Sequence, residues 1–255
     1  MNRTVLVTGA ARGIGLATAR RFLAAGWQVA LLDIGAPRLA AAHAGLVASH
    51  PDTLALPADV ADPQQGATAV RQAHAAFGRL DALVNNAGIA DVGPIQDTSY
   101  ARWRRIMATN LDGPFLMTQA AAPLIAAGGG GAVVNITSIS GHRASTLRTA
   151  YGTSKAALAH LTRQQAAELG ELGIRVNAVA PGPVDTAMAR KVHDAAIRAA
   201  YHDAIPLARY GLESEIADAI HFLCSAQASY ITGQVLSVDG GFQATGIGLP
   251  ALRGG

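Results

Sequence analysis

Residues 8–15 read TGAARGIG. The apolar residues Val5, Leu6 and Val7 lead into this stretch, and Leu16, Ala17, Thr18 and Ala19 lead out of it. A strand that turns on glycines into a helix brings backbone N–H groups and the positive end of a helix dipole to one point. Phosphate is the natural guest of such a turn. Glycine turns also occur without ligands, so the surrounding pattern has to decide.

That pattern is an alternation of strand-like and helix-like segments. Residues 4–8 and 29–33 are short β-rich runs, and residues 14–25 between them have helical composition, closed by Gly26. An alanine-rich helix is predicted over 37–49 and a strand over 53–57. A helix with Pro63 in its first turn spans 63–77, before a strand at 82–85. One long helix is expected over 100–127, irregular at Gly113 and Pro114, followed by a glycine run and a strand at 132–137. A helix over 151–172, a strand over 175–180, a helical pair within 187–224 and a last strand at 235–238 complete the chain. Strands separated by helices pair in parallel through right-handed crossovers. The expectation is an α/β chain with one doubly wound, Rossmann-type domain over 1–255: a parallel seven-stranded sheet with helices on both faces. Its ligand belongs beyond the carboxyl ends of the strands.

The bulk composition narrows the function classes. The chain has 255 residues, half of them hydrophobic and 15% charged, enough for a sizeable core. Its formal charge is only +3, and the basic residues are scattered without interleaved aromatics, so no nucleic-acid partner is expected. The single cysteine, Cys224, excludes an internal disulfide and any paired-cysteine metal site. No metal is expected. No leader-like or membrane-length apolar segment is seen, so a soluble cytoplasmic protein without a membrane partner is expected.

Asp33 sharpens the phosphate reading. It closes the second strand, at close to the spacing of about 20 residues after the glycine turn at which an acid meets a ribose. A carboxylate there accepts hydrogen bonds from ribose hydroxyls and repels a 2′-phosphate, which selects NAD over NADP. Its alternative role is a helix cap before Pro37. Arg12 points the other way, because arginine suits phosphate, and is read as a neighbour of the cofactor.

Further motifs follow in order: Asn85-Asn86-Ala87-Gly88, Asn110, Ser138, Tyr151-Gly-Thr-Ser-Lys155, Pro181-Gly182 and Asp239-Gly240-Gly241. Together with residues 8–15 they resemble the short-chain dehydrogenase/reductase family in its compact single-domain form, over almost the whole chain. The chemistry also reads from the residues. Tyrosine titrates near about 10 in water and is a poor base at neutral pH. Lys155 stands one helical turn after Tyr151, where an ammonium stabilises tyrosinate. Lysine otherwise occurs only at Lys191 in this arginine-rich chain.

The resemblance implies catalytic roles for four residues: Tyr151 as acid/base, Lys155 as its pKa-lowering partner and ribose contact, Ser138 as substrate orienter, and Asn110 as anchor of a water relay. It implies cofactor contacts at Gly9, Arg12, Gly13, Ile14, Gly15, Asp33, Asp59, Val60, Asn86 and Gly88. Tyr151, Lys155, Pro181, Gly182, Val184 and Thr186 complete that set. Substrate would meet Ser138, Ser140, Arg148 and Tyr151, under a substrate loop at about 183–212. Arg148 either pairs with an anionic substrate group or ties down its own loop.

The expected function is an NAD-dependent oxidoreductase that moves a hydride between nicotinamide and a secondary alcohol such as a polyol, sugar acid or hydroxy acid. The alternatives are an NADPH-dependent 3-oxoacyl-carrier-protein reductase and, in another class, a non-catalytic NAD(H)-sensing protein. The resemblance also implies a homotetramer built on the two long helices, with a tail at 242–255 that covers a neighbour or frays.

Overall fold

The structure, a computed structural model, describes residues 2–246, apart from the side chain of Met188. The last part of the expected tail, 247–255, lies outside the described residues.

The elements run β1 (Thr4–Thr8), α1 (Gly13–Ala24), β2 (Gln28–Asp33), α2 (Ala36–Val47), β3 (Thr53–Pro57), α3 (Pro63–Phe77), β4 (Ala82–Asn85), α4 (Tyr100–Met107) and α5 (Gly113–Ala127). They continue with β5 (Gly131–Ile136), α6 (Thr149–Leu169), β6 (Ile174–Pro181), α7 (Ala187–Val192), α8 (Ala195–Ala204), α9 (Glu213–Cys224) and β7 (Val235–Val238). Among the described residues the strands form one seven-stranded sheet in the order β3-β2-β1-β4-β5-β6-β7. Each neighbouring pair is parallel. The chain reverses its direction of travel between β1 and β4, so the carboxyl ends of these two strands flank the switch point, where ligands bind in sheets of this kind.

Strand side chains alternate between two apolar layers, as the period of two requires. Val5, Val7, Val29, Leu31 and Val134 face Phe22 and Leu23 of α1, Leu39 of α2, and Ile216 and Ile220 of α9. Leu6, Leu32, Leu83, Val133 and Val176 face Val70 of α3, Met117 and Ile125 of α5, and Ala166 of α6. Strands covered on both faces read as continuous apolar runs, which is why β1 is buried along its whole length.

Two expectations need correction. The long helix over 100–127 runs on without leaving the helical region, but its irregularity is a π turn at Ala108–Asp112, between α4 and α5 and just ahead of Gly113 and Pro114. Pro114 sits in the first turn of α5, directly after that π turn. The pair of helices within 187–224 is three, because Thr186 caps α7 through Ala189 N at 3.1 Å and Asp194 caps α8 through Ile197 N at 2.8 Å.

Candidate active site

The glycine turn is packed against the segment after β4. Gly9 has φ +64°, and a Cβ there would lie 2.9 Å from Ala87 Cα. A Cβ on Gly15 would lie 2.2 Å from the Gly9 carbonyl oxygen. Asn86 pins this contact: its Nδ2 donates to Thr8 O at 2.9 Å and Gly9 O at 3.1 Å. Thr8 Oγ1 accepts from Asn86 N at 3.0 Å and Ala87 N at 2.9 Å. Gly13, at φ +60°, instead faces open space, with Glu213 Oε1 the nearest atom at 3.8 Å. α1 starts there behind an extended Arg12, with no side chain capping it and no acid in its first turn. An uncapped helix start under a glycine turn fits an anionic phosphate.

Asp33 is tied to the turn and not to the helix after it. Its Oδ2 accepts from Ala11 N at 3.2 Å and its Oδ1 from Gly35 N at 2.9 Å, while Gly35 is the cap residue of α2. It lines a cavity of about 550 Å³ together with Gly9, Arg12, Arg38, Asp59 and Val60. Asp59 Oδ1 accepts from Ala61 N at 2.9 Å, which fixes the bend after β3. A second cavity, of about 320 Å³, is lined by Gly13, Ile14, Ser138, Tyr151, Lys155, Pro181, Gly182, Val184 and Thr186. The two share Arg12, Asn86, Gly88, Ile89 and Ala90, so they form one cleft across the carboxyl ends of β1 and β4. Another cavity, of about 530 Å³, lies at the opposite end of the strands near Arg3 and Arg175, and none of the expected site residues lines it.

Lys155 is only 4% exposed, and its Nζ donates to Ile136 O at 2.7 Å. Burial pushes its ammonium pKa down to about 8. The Nζ lies 5.8 Å from the centre of the Tyr151 ring. Burial pushes the Tyr151 hydroxyl up, against a hydrogen bond with Ser138 and the charge of Arg148, which both favour the phenolate. In this geometry, then, burial outweighs the lowering expected for Tyr151. Ser138 Oγ also accepts from Ser140 N at 3.1 Å. Ser140 Oγ is paired with Ser145 Oγ at 2.9 Å.

Asn110 sits in the π turn with both ends of its amide engaged. Oδ1 accepts from Ile89 N at 2.9 Å, and Nδ2 donates to Ile89 O at 2.9 Å and to Ser154 Oγ at 3.0 Å. It therefore stitches the segment after β4 to α6. Gly88 makes room for this, since a Cβ there would stand 3.3 Å from Asn110 Oδ1 and 3.5 Å from Lys155 Nζ. Past β6, a Cβ on Gly182 would meet Asp239 Cα at 2.7 Å. Val184 bridges to Gly211, and Thr186 is the α7 cap. The Arg148 guanidinium lies 5.6 Å from the Tyr151 ring centre.

Sequence reasoning missed Glu213, which lines the inner cavity from the first turn of α9. Its acidic start just ahead of the apolar run Ile216, Ala217 and Ile220 was the available signal.

The chain matches the family model described as enoyl-(acyl carrier protein) reductase over residues 9–243. It is 40% identical to cis-4-hydroxycyclohexanecarboxylate dehydrogenase of Sinomonas cyclohexanicum over 95% of this chain and 97% of that one. It is 41% identical to galactitol 2-dehydrogenase (L-tagatose-forming) of Cereibacter sphaeroides, over 92% and 93%. A 3-oxoacyl-[acyl-carrier-protein] reductase of Staphylococcus aureus is 36% identical over 94% and 98%. Among solved structures, a putative short-chain alcohol dehydrogenase from Sinorhizobium meliloti superposes at TM-score 0.92 with 40% identity, covering 96% of this chain and 98% of that one. A 7α-hydroxysteroid dehydrogenase complexed with NADH superposes at 0.90 with 35% identity, covering 94% and 93%. A gluconate 5-dehydrogenase from Burkholderia cenocepacia, in complex with NADP and tartrate, superposes at 0.91 with 33% identity, covering 96% and 97%.

Proposed function

The chain belongs to the short-chain dehydrogenase/reductase family, and from that premise we propose an NAD-linked dehydrogenase of secondary alcohols. The observation that carries the reading is the cleft itself. Asp33 closes one end, and Ser138, Tyr151 and Lys155 gather at the other. The relatives named for hydroxycyclohexanecarboxylate and galactitol support an alcohol substrate.

A nicotinamide dinucleotide supplies the two-electron acceptor for the carbinol hydrogen. The chain does the rest. The uncapped start of α1 binds phosphate, and Asp33 accepts from ribose hydroxyls. Asp59 and Val60 border the adenine end, while Pro181, Gly182, Val184 and Thr186 border the nicotinamide end. Ser138 orients the substrate oxygen, and Tyr151 exchanges the proton with it. Lys155 holds positive charge beside Tyr151, and Asn110 fixes the π turn from which a water relay to Lys155 starts. We also propose a cytoplasmic homotetramer on the α4, α5 and α6 faces, where Tyr100 and Phe115 are exposed. No helix among the described residues is long and apolar enough to cross a membrane.

One observation favours a second reading. Arg12 and Arg38 line the same cavity as Asp33 and would suit a 2′-phosphate, as an NADPH-dependent 3-oxoacyl-carrier-protein reductase needs. A screen of polyols, hydroxy acids, sugar acids and 3-oxoacyl thioesters with both cofactors separates the two. Turnover of alcohols with NAD is expected, with a loss of about 10²- to 10⁴-fold in Tyr151→Phe. Strong NADPH preference on oxoacyl thioesters would transfer the assignment to the second reading. Unchanged turnover in Tyr151→Phe would remove the mechanism.

A further inference from the structure

We propose that Arg148 selects the substrate, holding the carboxylate of a small hydroxy acid whose hydroxyl lies on Tyr151. The inference rests on the alcohol-oxidising reading of the same site and narrows it from secondary alcohols in general to anionic ones.

Arg148 is half-buried at the start of α6, with its guanidinium carbon 5.6 Å from the Tyr151 ring centre. Its charge is felt by Tyr151 on one side and by His193, just past α7, on the other. It thus stands between the acid/base and the substrate loop, beside the Tyr151 ring.

Its partners set it apart from the arginines around it. Arg102 is bound to Asp91 and to Val92 O. Arg143 donates to Phe242 O at 2.9 Å. Arg190 and Arg198 share Asp185. The Arg148 guanidinium lies over the Tyr151 ring and has no hydrogen-bond or ion-pair partner among the described residues. Two acids of the substrate loop are already engaged: Asp185 by its two arginines, and Asp194 by Ile197 N at 2.8 Å. Beside the reaction centre, the hydrogen-bonding fork of Arg148 is therefore free to take an anion. Its planar fork matches a carboxylate in two parallel hydrogen bonds.

The backbone leading into Arg148 is strained. Leu147 has φ +61°, a left-handed conformation that a branched side chain rarely adopts. Leu147 O accepts from Gly93 N at 2.9 Å, and the Gly93 segment is held by Arg102 through Asp91 and Val92 O. Backbone strain clamped from outside in this way concentrates at ligand sites.

The test compares α-, β- and γ-hydroxycarboxylates, as secondary alcohols, with their primary amides, using NAD and the folded wild type, Arg148→Met and Arg148→Lys. Loss of the Arg148 charge also acts on Tyr151, and unequally with acid and amide bound, so each rate is taken at the pH optimum of its own enzyme–substrate pair. The ratio of kcat/KM for acid over amide therefore isolates anion binding. Wild type is expected to favour the acid, and Arg148→Met to lower that ratio about 10- to 100-fold, mainly through KM. Arg148→Lys, with the charge but not the fork, should recover part of it. Equal use of acid and amide by wild type, or a preference that survives in Arg148→Met, would overturn the inference. So would Tyr151-dependent turnover of neutral polyols with none of the acids, although the alcohol-dehydrogenase reading would then stand. Absence of Tyr151-dependent turnover of any alcohol would remove both.

Discussion

Replacing Asp33 by Asn should reverse the cofactor preference, and the size of the effect follows from how the carboxylate is held. Oδ2 already accepts from Ala11 N at 3.2 Å and Oδ1 from Gly35 N at 2.9 Å. A carboxylate offers about four lone-pair sites, so each oxygen keeps one for a ribose hydroxyl. Asn retains one such oxygen and loses the charge. Forfeiting one charge-assisted bond of about 1.5–3 kcal/mol lowers kcat/KM with NAD roughly 10- to 100-fold. For NADP the sign is opposite. Like charges about 5 Å apart at an effective dielectric of about 20 repel by about 3 kcal/mol, and removing that repulsion raises kcat/KM roughly 100-fold. The preference should thus move by about a thousandfold or more. The assay is initial rates with both cofactors, one substrate and one ionic strength. The Asn amide must also meet one of the two backbone N–H donors, at a cost of about 1–3 kcal/mol, so a Tm several degrees lower is part of the expectation. A folded Asp33→Asn protein with an unmoved cofactor ratio, or a wild type that prefers NADP, would refute the reasoning.

Two further substitutions probe the site's energetics. Lys155 titrates at about 8 in the fold against 10.5 as a free side chain, so between those values the unfolded chain binds the proton more tightly. Its burial costs about 3 kcal/mol below pH 8, and that cost fades as pH rises to about 10.5. The stability of Lys155→Met relative to wild type should therefore fall by a similar amount between pH 7 and pH 10, by urea unfolding of the cofactor-free protein. A difference independent of pH would mean that burial does not govern this lysine. Gly15→Ala should fold poorly or lose the cofactor, since its Cβ would stand 2.2 Å from Gly9 O and 2.5 Å from Asn86 Nδ2. A thermal-shift trace like wild type, with NAD binding retained by calorimetry, would contradict that close approach.

The strands and most helices were legible because burial on two faces leaves apolar runs that flanking glycines and prolines punctuate. β1, β3, β4 and β7 occupy the stretches their composition marks. The irregularity in the long helix lies ahead of the residues that mark it, for a physical reason. A π turn inserts a residue into the helical ladder without requiring any residue type that propensity registers. Gly113 and Pro114 read as breakers, yet the backbone stays helical up to and through both. The third helix of the 187–224 region was marked in the sequence by Thr186 and Asp194, each a capping residue ahead of a short alanine-rich run. Apolar periodicity was the weaker guide there.

In the cleft, residue types were readable but partnerships were not, because they are set by contacts distant in sequence. Spacing alone places Lys155 beside Tyr151, and a nearby ammonium lowers a phenol. In the fold, Lys155 points at Ile136 O from β5, and burial acts on both groups in opposite senses. The lysine descends toward 8 while the tyrosine rises from 10.0, so the tyrosine remains the weaker acid. At neutral pH the ligand-free pair therefore holds both protons, and Tyr151 is set to donate one. A site in that state is ready to protonate a carbonyl oxygen, as reduction requires. Oxidation requires the reverse, a Tyr151 that accepts a proton, and added positive charge, a hydrogen bond to the phenolate or a lost desolvation penalty brings the phenol down. Arg148 already pulls in that direction and Ser138 adds a hydrogen bond. A carboxylate docked on Arg148 would cancel part of the first pull, so an anionic alcohol should be oxidised with a more alkaline pH optimum than a neutral one.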